Sequence, residues 1–267
     1  MSTTVTASVL GDALEAFRAQ PPLVQCLTNI VVAQWTANVL LAAGAAPAMV
    51  DNPHEAADFA LVAGAVLVKL GTPYDETASA MRGAVAAAAA AGTPWVLDPV
   101  AAGALRWRTE LAGELLEVGR PTIIRGNASE ILALAGGGGG HGVDSTDSPE
   151  AAADVARTVA RGRGTVVAVS GPGDHHTAGH RLVRISNGHP WLTQVTGVGC
   201  ALGALMAGFA AAVDDPLAAA VAATAMLTVS ADIAAAASRG PGGFAVRLLD
   251  ELSLVTPAGL ADRVLLS

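Results

Sequence analysis

Lysine is nearly absent from this sequence: Lys69 is the only one in 267 residues. That excludes a P-loop, which sets Gly-Lys-Ser/Thr before a helix. Any phosphate must then be held by arginine, backbone N–H groups or a metal ion. Aromatic residues are scarce too, at 3%. The hydrophobic share is still 52%, above the ~45–50% of ordinary globular chains, and much of the excess is alanine. Such a core packs small side chains closely, with helices tight on a sheet. Two cysteines, Cys26 and Cys200, make no disulfide framework. A basic face is missing: the net charge is −8, so no nucleic-acid partner is expected. A local positive site for a small anion remains open, because a few arginines and N–H groups suffice for it. Residues 1–10 have no basic residue and no apolar core, so they do not read as a signal peptide. The uncharged stretch between Ala19 and Val50 is broken by Gln25, Thr28, Asn29, Gln34, Asn38, Gly44 and Pro47. The alanine-rich run 217–231 falls short of the ~20 residues of a spanning helix. The expectation is a cytoplasmic enzyme with no membrane partner.

What is present is an alternation of short β-type runs with longer helical ones. Strands are expected at 23–26, 47–50, 65–70, 94–97, 122–124 and 165–169. Helices are expected over 30–43, after Asn52-Pro53, and from Thr72-Pro73 to about residue 91. The strands are continuous apolar runs, the pattern of parallel strands covered on both faces. The fold class is therefore α/β, a central mostly parallel sheet with helices on both faces. A hairpin is expected over 181–192, turning at Asn187-Gly188. Only helices follow it, at about 199–213, 216–237 and 242–254, with a short last one. Residues 136–140 are all glycine and read as a mobile surface loop; no helix starts directly after them to make a phosphate cradle. No linker divides the chain, so 1–267 reads as a single domain.

In an open parallel sheet, ligands bind beyond the carboxyl ends of the strands. Asp98, Arg125-Gly126-Asn127 and Ser170-Gly171 each follow a strand, as do Thr28-Asn29 and Met49. Thr196-Gly197-Val198-Gly199-Cys200 precedes an apolar helix. Glycines there let N–H groups converge, and the helix end adds positive potential, which together make an anion site. The same spacing also suits a plain N-cap turn. Cys200 is either a thiol whose pKa the helix end lowers, and so a base, or a small buried hydrophobe. Asp98 and Glu130 could bind magnesium, directly or through water, or could stabilise helix ends. Arg125 after a buried strand needs an anionic partner. Cys26 reads as core. The six histidines lack a metal-ligand pattern and read as surface residues.

Five segments in order resemble the hydroxyethylthiazole kinase family of the ribokinase-like superfamily. They are Gln25-Cys26-Leu27-Thr28-Asn29-Ile30-Val31-Val32, Gly44-Ala45-Ala46-Pro47-Ala48-Met49, Leu97-Asp98-Pro99-Val100, Ile124-Arg125-Gly126-Asn127-Ala128-Ser129-Glu130 and Val195-Thr196-Gly197-Val198-Gly199-Cys200. The resemblance implies a three-layer α/β/α, ribokinase-like kinase domain with no separate lid. It implies transfer of the γ-phosphate of ATP to the hydroxyl of 4-methyl-5-(2-hydroxyethyl)thiazole, with Mg2+, in salvage of the thiazole half of thiamine. By the same resemblance Cys200 is the catalytic base, and the N–H groups from Gly197 through Val198 and Gly199 to Cys200 form the anion hole. Arg125, Ser170 and Asn127 meet ATP; Asp98 and Glu130 organise the metal. Met49, Gly197 and Asn29 meet the thiazole. A homotrimer with sites between subunits is implied as well. Three positions depart from the family's usual residues: Lys69 stands for asparagine, Gln34 for asparagine and Ala101 for glycine.

Overall fold

Six parallel strands form the centre of the fold: β1 (Leu23–Leu27), β2 (Ala46–Ala48), β3 (Ala65–Lys69), β4 (Trp95–Asp98), β5 (Ile123–Asn127) and β6 (Val166–Ser170). The computed structural model describes residues 4–136 and 149–267. Two further strands, β7 (Asp174–Thr177) and β8 (Leu182–Ile185), extend the sheet antiparallel to β6 and to each other. The order is β2-β1-β3-β4-β5-β6-β7-β8. The chain reverses its direction of growth between β1 and β3, and a crevice opens at such a switch point.

One face of the sheet carries α1 (Ala7–Ala19), α2 (Ala33–Ala43), α8 (Val198–Ala212), α9 (Pro216–Ala236), α10 (Pro241–Leu254) and α11 (Pro257–Arg263). The other carries α3 (Ala56–Ala60), α4 (Asp75–Ala91), α5 (Arg106–Val118), α6 (Ala128–Gly136) and α7 (Pro149–Arg163). The strands feed both cores by simple alternation. In β3, Ala65 and Leu67 join the first core, while Val66 and Val68 join the second. That two-sided burial is why these strands are apolar throughout. Small residues let the first layer pack deeply. Of the 21 residues of α9, sixteen are buried, so its apolarity is that of a core helix. Phe17 of α1 stacks on Phe209 of α8 at 4.4 Å between ring centres.

Several boundaries differ from the sequence reading. The hairpin turns at 178–181, between β7 and β8, with Gly179 at φ 87°. Asn187-Gly188 lies beyond it. Asn187 Nδ2 donates to Asp232 Oδ2 at 2.9 Å, and Gly188 N donates to Asp232 Oδ1 at 3.0 Å, so these residues tie the chain to α9. Helix α2 starts at Ala33, not residue 30, and leaves Ile30 and Val31 exposed. Asn52 forms a turn, accepting from His54 N at 2.9 Å, and α3 begins only at Ala56. Helix α4 begins at Asp75, after Tyr74, rather than at Thr72-Pro73. The glycine run from Gly137 onward lies outside the described residues. The histidines are not all on the surface: His176, inside β7, is 1% exposed.

Candidate active site

Alternation along the strands decides what meets α8. Leu67 of β3, Val96 of β4, Ile123 of β5 and Ala168 of β6 all face the first core. Two residues further on stand Lys69, Asp98, Arg125 and Ser170, at the carboxyl ends of the same strands and on the same face. Helix α8 packs on β3 and β4, close enough that a Cβ at Gly203 would lie 3.0 Å from Leu67 Cδ1 and 3.6 Å from Asp98 Oδ2. The start of α8 therefore stands over a row of four polar side chains.

Arg125 links that row. Its Nη1 donates to Asp98 Oδ2 at 3.3 Å, and its Nε and Nη2 donate to Ser170 Oγ at 3.2 and 3.1 Å. The guanidinium also lies against the first turn of α8: a Cβ on Gly199 would sit 3.1 Å from Nη2. Gly197 caps the helix at φ 96°, where a Cβ would come within 2.9 Å of Trp35 Cδ1. Gly197 is therefore required by geometry, while at Gly199 a side chain would press on the guanidinium. The N–H groups of Val198, Gly199 and Cys200 occupy the first turn, where a helix supplies no acceptors of its own. Val198 N has a long bond to Val195 O at 3.5 Å, and a helix start of this kind, with Arg125 beside it, could receive an anion.

Cys200 is half-buried at that turn. Burial pushes its thiol above the ordinary range, with Asp98 adding to the rise; Lys69 and Arg125 oppose it without reversing it. The expected lowering by the helix end is thus overcome by desolvation, because a thiolate loses more solvation here than the helix restores. Cys26 is core, as expected, and burial pushes its thiol to about 12.

The acidic candidates divide. Asp98 is wholly buried, and its Oδ1 has no hydrogen-bond partner. A buried carboxylate oxygen left open fits a cation. Glu130 has both oxygens engaged by backbone: Oε1 accepts from Ala101 N at 3.0 Å and Oε2 from Asn127 N at 2.8 Å. It joins the β4–α5 loop to the start of α6, and fits a metal only through water or its remaining lone pairs. Among the described residues no group of three His, Cys, Asp or Glu could hold a metal. A bound ion would therefore take most of its ligands from elsewhere, as magnesium does with substrate phosphates. Asn127 pairs in register with Ser170. Its Oδ1 is taken up accepting from Ser129 Oγ and Glu130 N, which leaves the amide NH2 for a ligand.

Met49 and Asn29 stand apart from the Arg125 group. Met49 follows β2, and four strand intervals separate it from β5, roughly 19 Å at ~4.8 Å per strand. Asn29 follows β1; its Oδ1 accepts from Val32 N at 3.2 Å. Along the edge of the sheet, Met49 and Asn29 thus stand at one side and Arg125, Asn127 and Ser170 at the other, with α8, which carries Cys200, packed on the strands between them. Gln25, Lys69 and Asp174 complete the set. Gln25 Nε2 donates to Val50 O and Ala56 O, both at 3.0 Å, which fixes the segment after Met49. A buried glutamine inside an apolar strand was the available signal. Asp174 accepts from Gly171 N at 3.3 Å and faces Arg125 and Ser170. Burial holds its carboxyl up at about 6 despite those partners. Asp174 belongs to a strand that its sequence, Asp-His-His-Thr, does not announce.

The chain matches the Hydroxyethylthiazole kinase family over residues 14–258. It is 61% identical over 258 residues to the hydroxyethylthiazole kinase of Clavibacter sepedonicus, covering 96% of this chain and 94% of that one. The namesake of Cutibacterium acnes is 54% identical over 261 residues, covering 97% and 94%. The solved hydroxyethylthiazole kinase of Pyrococcus horikoshii superposes with a TM-score of 0.90 at 34% identity, over 97% of this chain and 98% of that one. Sequence and ribokinase-like fold agree from the first strand to the last helix: this chain belongs to the hydroxyethylthiazole kinase family.

Proposed function

We propose that the protein transfers the γ-phosphate of ATP to the hydroxyl of 4-methyl-5-(2-hydroxyethyl)thiazole, salvaging the thiazole half of thiamine. The observation that carries this reading is the row of strand ends along one edge of the sheet, with Cys200 and the first turn of α8 over its middle. An acceptor at the Met49 end and ATP at the Arg125 end would meet at that turn. Charge then builds on the phosphoryl group where N–H donors already converge, which lowers the barrier without reorganisation. Arg125, Ser170 and Asn127 would hold the nucleotide. Met49, Asn29 and the backbone of Gly197 would hold the thiazole. Cys200 would take the hydroxyl proton. Only its ionised fraction can do so, and a loose transition state asks little of the base. Asp98, with Glu130 behind it, would hold Mg2+, which supplies charge neutralisation at the phosphates. Asp174 would position Ser170 and Arg125.

We read residues 1–267 as a single cytoplasmic kinase domain that works as a homotrimer. Ile30, Val31 and Met49 support the trimer, because they are exposed apolar residues at the acceptor end that nothing among the described residues covers. A neighbouring subunit would exclude water there. Sedimentation equilibrium reads the assembly directly, and a monomer at working concentration refutes it. The reaction is tested by ATP consumption with purified protein and the hydroxyethylthiazole, beside pyrimidine and pyridine alcohols. Turnover should be selective for the thiazole; preference for either other ring refutes the substrate.

A further inference from the structure

Of the four side chains that the strand ends aim at α8, three account for one another. Arg125 holds Asp98 and Ser170. Lys69 stands outside that set. It is 2% exposed, and among the described residues no carboxylate lies within ion-pair distance of its ammonium. Its neighbours are the Cys200 thiol, which feels its charge, and the side-chain amide of Asn29. Both Lys69 Nζ and Asn29 Nδ2 occupy the space beside Gly71; a Cβ there would lie 3.1 Å from Nζ and closer still to the amide. An amide NH2 is itself a donor and brings no negative charge. The thiol is neutral at rest, since burial keeps its proton on. The negative charge next to it is Asp98, opposite in register on β4, which lies beyond ion-pair distance and is already held by Arg125, and a buried ammonium so thinly compensated is costly. Lys69 is therefore set for an anion that arrives with the ligands.

The position says which one. A base must lie within ~3 Å of the hydroxyl it serves, and the phosphorus ~3–3.5 Å from that same oxygen. An ammonium that stands beside the base at the same helix turn is then within reach of the oxygens on the moving phosphoryl group. The row places this charge on β3, on the opposite side of Asp98 from Arg125. We propose that Lys69 is a catalytic residue, whose ammonium converges with Arg125 and the first-turn N–H groups of α8 on the phosphoryl group in transit. In the step, the bond from the hydroxyl oxygen to phosphorus forms and the bond from phosphorus to the ADP oxygen breaks. The hydroxyl proton passes to Cys200 in the fraction of molecules whose thiol has first lost its proton to solvent, and Lys69 keeps its protons, lending one as a hydrogen bond. The proposal rests on the phosphoryl-transfer reading of this site.

The test uses full-length Lys69→Met and Lys69→Gln, so that misfolding of one does not decide it. Steady-state rates are measured beside calorimetric binding of ADP with aluminium fluoride, a mimic of the phosphoryl group in flight. Expected is a fall in kcat of roughly 10²-fold. Affinity for ADP–aluminium fluoride should fall by a similar factor, while affinity for ADP alone and the thiazole KM hold. Lys69→Arg should recover part of both losses. An unchanged kcat in folded variants overturns the proposal. So does a lowered kcat with an altered pH profile but unchanged binding of the mimic, which would leave Lys69 acting only on Cys200. The calorimetric arm reports on Lys69 whether or not the thiazole is the acceptor, so failure of the substrate reading stays separate.

Discussion

Replacing Arg125 with methionine should cost both stability and ATP affinity, and the structure separates the two. The Asp98 side chain is wholly buried and that of Arg125 is 14% exposed, with one contact between them at 3.3 Å. Breaking a buried ion pair by removing one partner costs about 3–5 kcal/mol, because the other charge is left alone. The contact here is single and rather long, and Arg125 is not fully buried. The cost therefore falls at or below the bottom of that range, about 2–3 kcal/mol. At ~2–4 °C per kcal/mol for a chain near this size, Tm should drop by roughly 4–12 °C. Loss of charge-assisted bonds to phosphate, at about 1.5–3 kcal/mol, should raise the ATP KM by roughly 10- to 100-fold. Adding Asp98→Asn to Arg125→Met removes the stranded charge, so most of the Tm should return while turnover does not. Thermal denaturation of both variants and ATP kinetics of the single variant decide it. The reasoning fails if Arg125→Met melts like the wild type with an unchanged KM, or if the double variant is no more stable than the single one.

Four shorter expectations accompany it. Cys200→Ala should lower turnover by roughly 10²–10⁴-fold, and wild-type kcat should climb with pH through 7–9, because the thiol is held above its ordinary range; a flat profile would remove the thiol as base. Gly199→Ala should push its new methyl against Arg125 Nη2, 3.1 Å away, and raise the ATP KM; normal kinetics would show that the guanidinium yields freely. Ala101 holds φ 62°, so Ala101→Gly should stabilise the fold by about 1 kcal/mol in urea titrations, and a loss of stability would refute strain there. His176 is held at about 3 by burial, with His175 adding to the effect. Its contribution to stability is full above ~6.5 and is lost as pH falls toward 3, about 2 kcal/mol of it by pH 5. Asp174, raised to about 6, runs the other way and gains about 1 kcal/mol of stability over the same interval. Stability of His176→Gln should therefore hold or rise on going from pH 7.5 to 5, where the wild type weakens; equal pH profiles would refute it.

Much was legible from residue order alone. Continuous apolar runs marked β1, β3, β4 and β6 to within a residue, because strands buried on both faces have no polar alternation to confuse the reading; the run 122–124 stopped three residues short of the end of β5, where the strand turns polar at Arg125. Gly197 and Gly199 before an apolar run marked the start of α8, because the backbone freedom of glycine is a local property. The lone lysine and the five ordered segments narrowed the chemistry to a kinase without a P-loop. Local pattern failed where partners come from afar. Asn187-Gly188 has a hairpin signature but bonds to Asp232 of α9, 44 residues or more away in sequence. The polar strand β7 forms because β6 and β8 flank it. His176 is buried inside that strand, which no neighbouring residue foretells.

Thr196 to Cys200 shows the division most clearly. The sequence by itself determined that glycines, a helix start and a thiol coincide there, since each depends only on adjacent residues. Only the tertiary structure decided what surrounds them. Four strand ends bring Lys69, Asp98, Arg125 and Ser170 under one helix turn, and the depth of that turn raises the thiol instead of lowering it. Desolvation and charge act through space, and distance in space is set by packing, not by position along the chain.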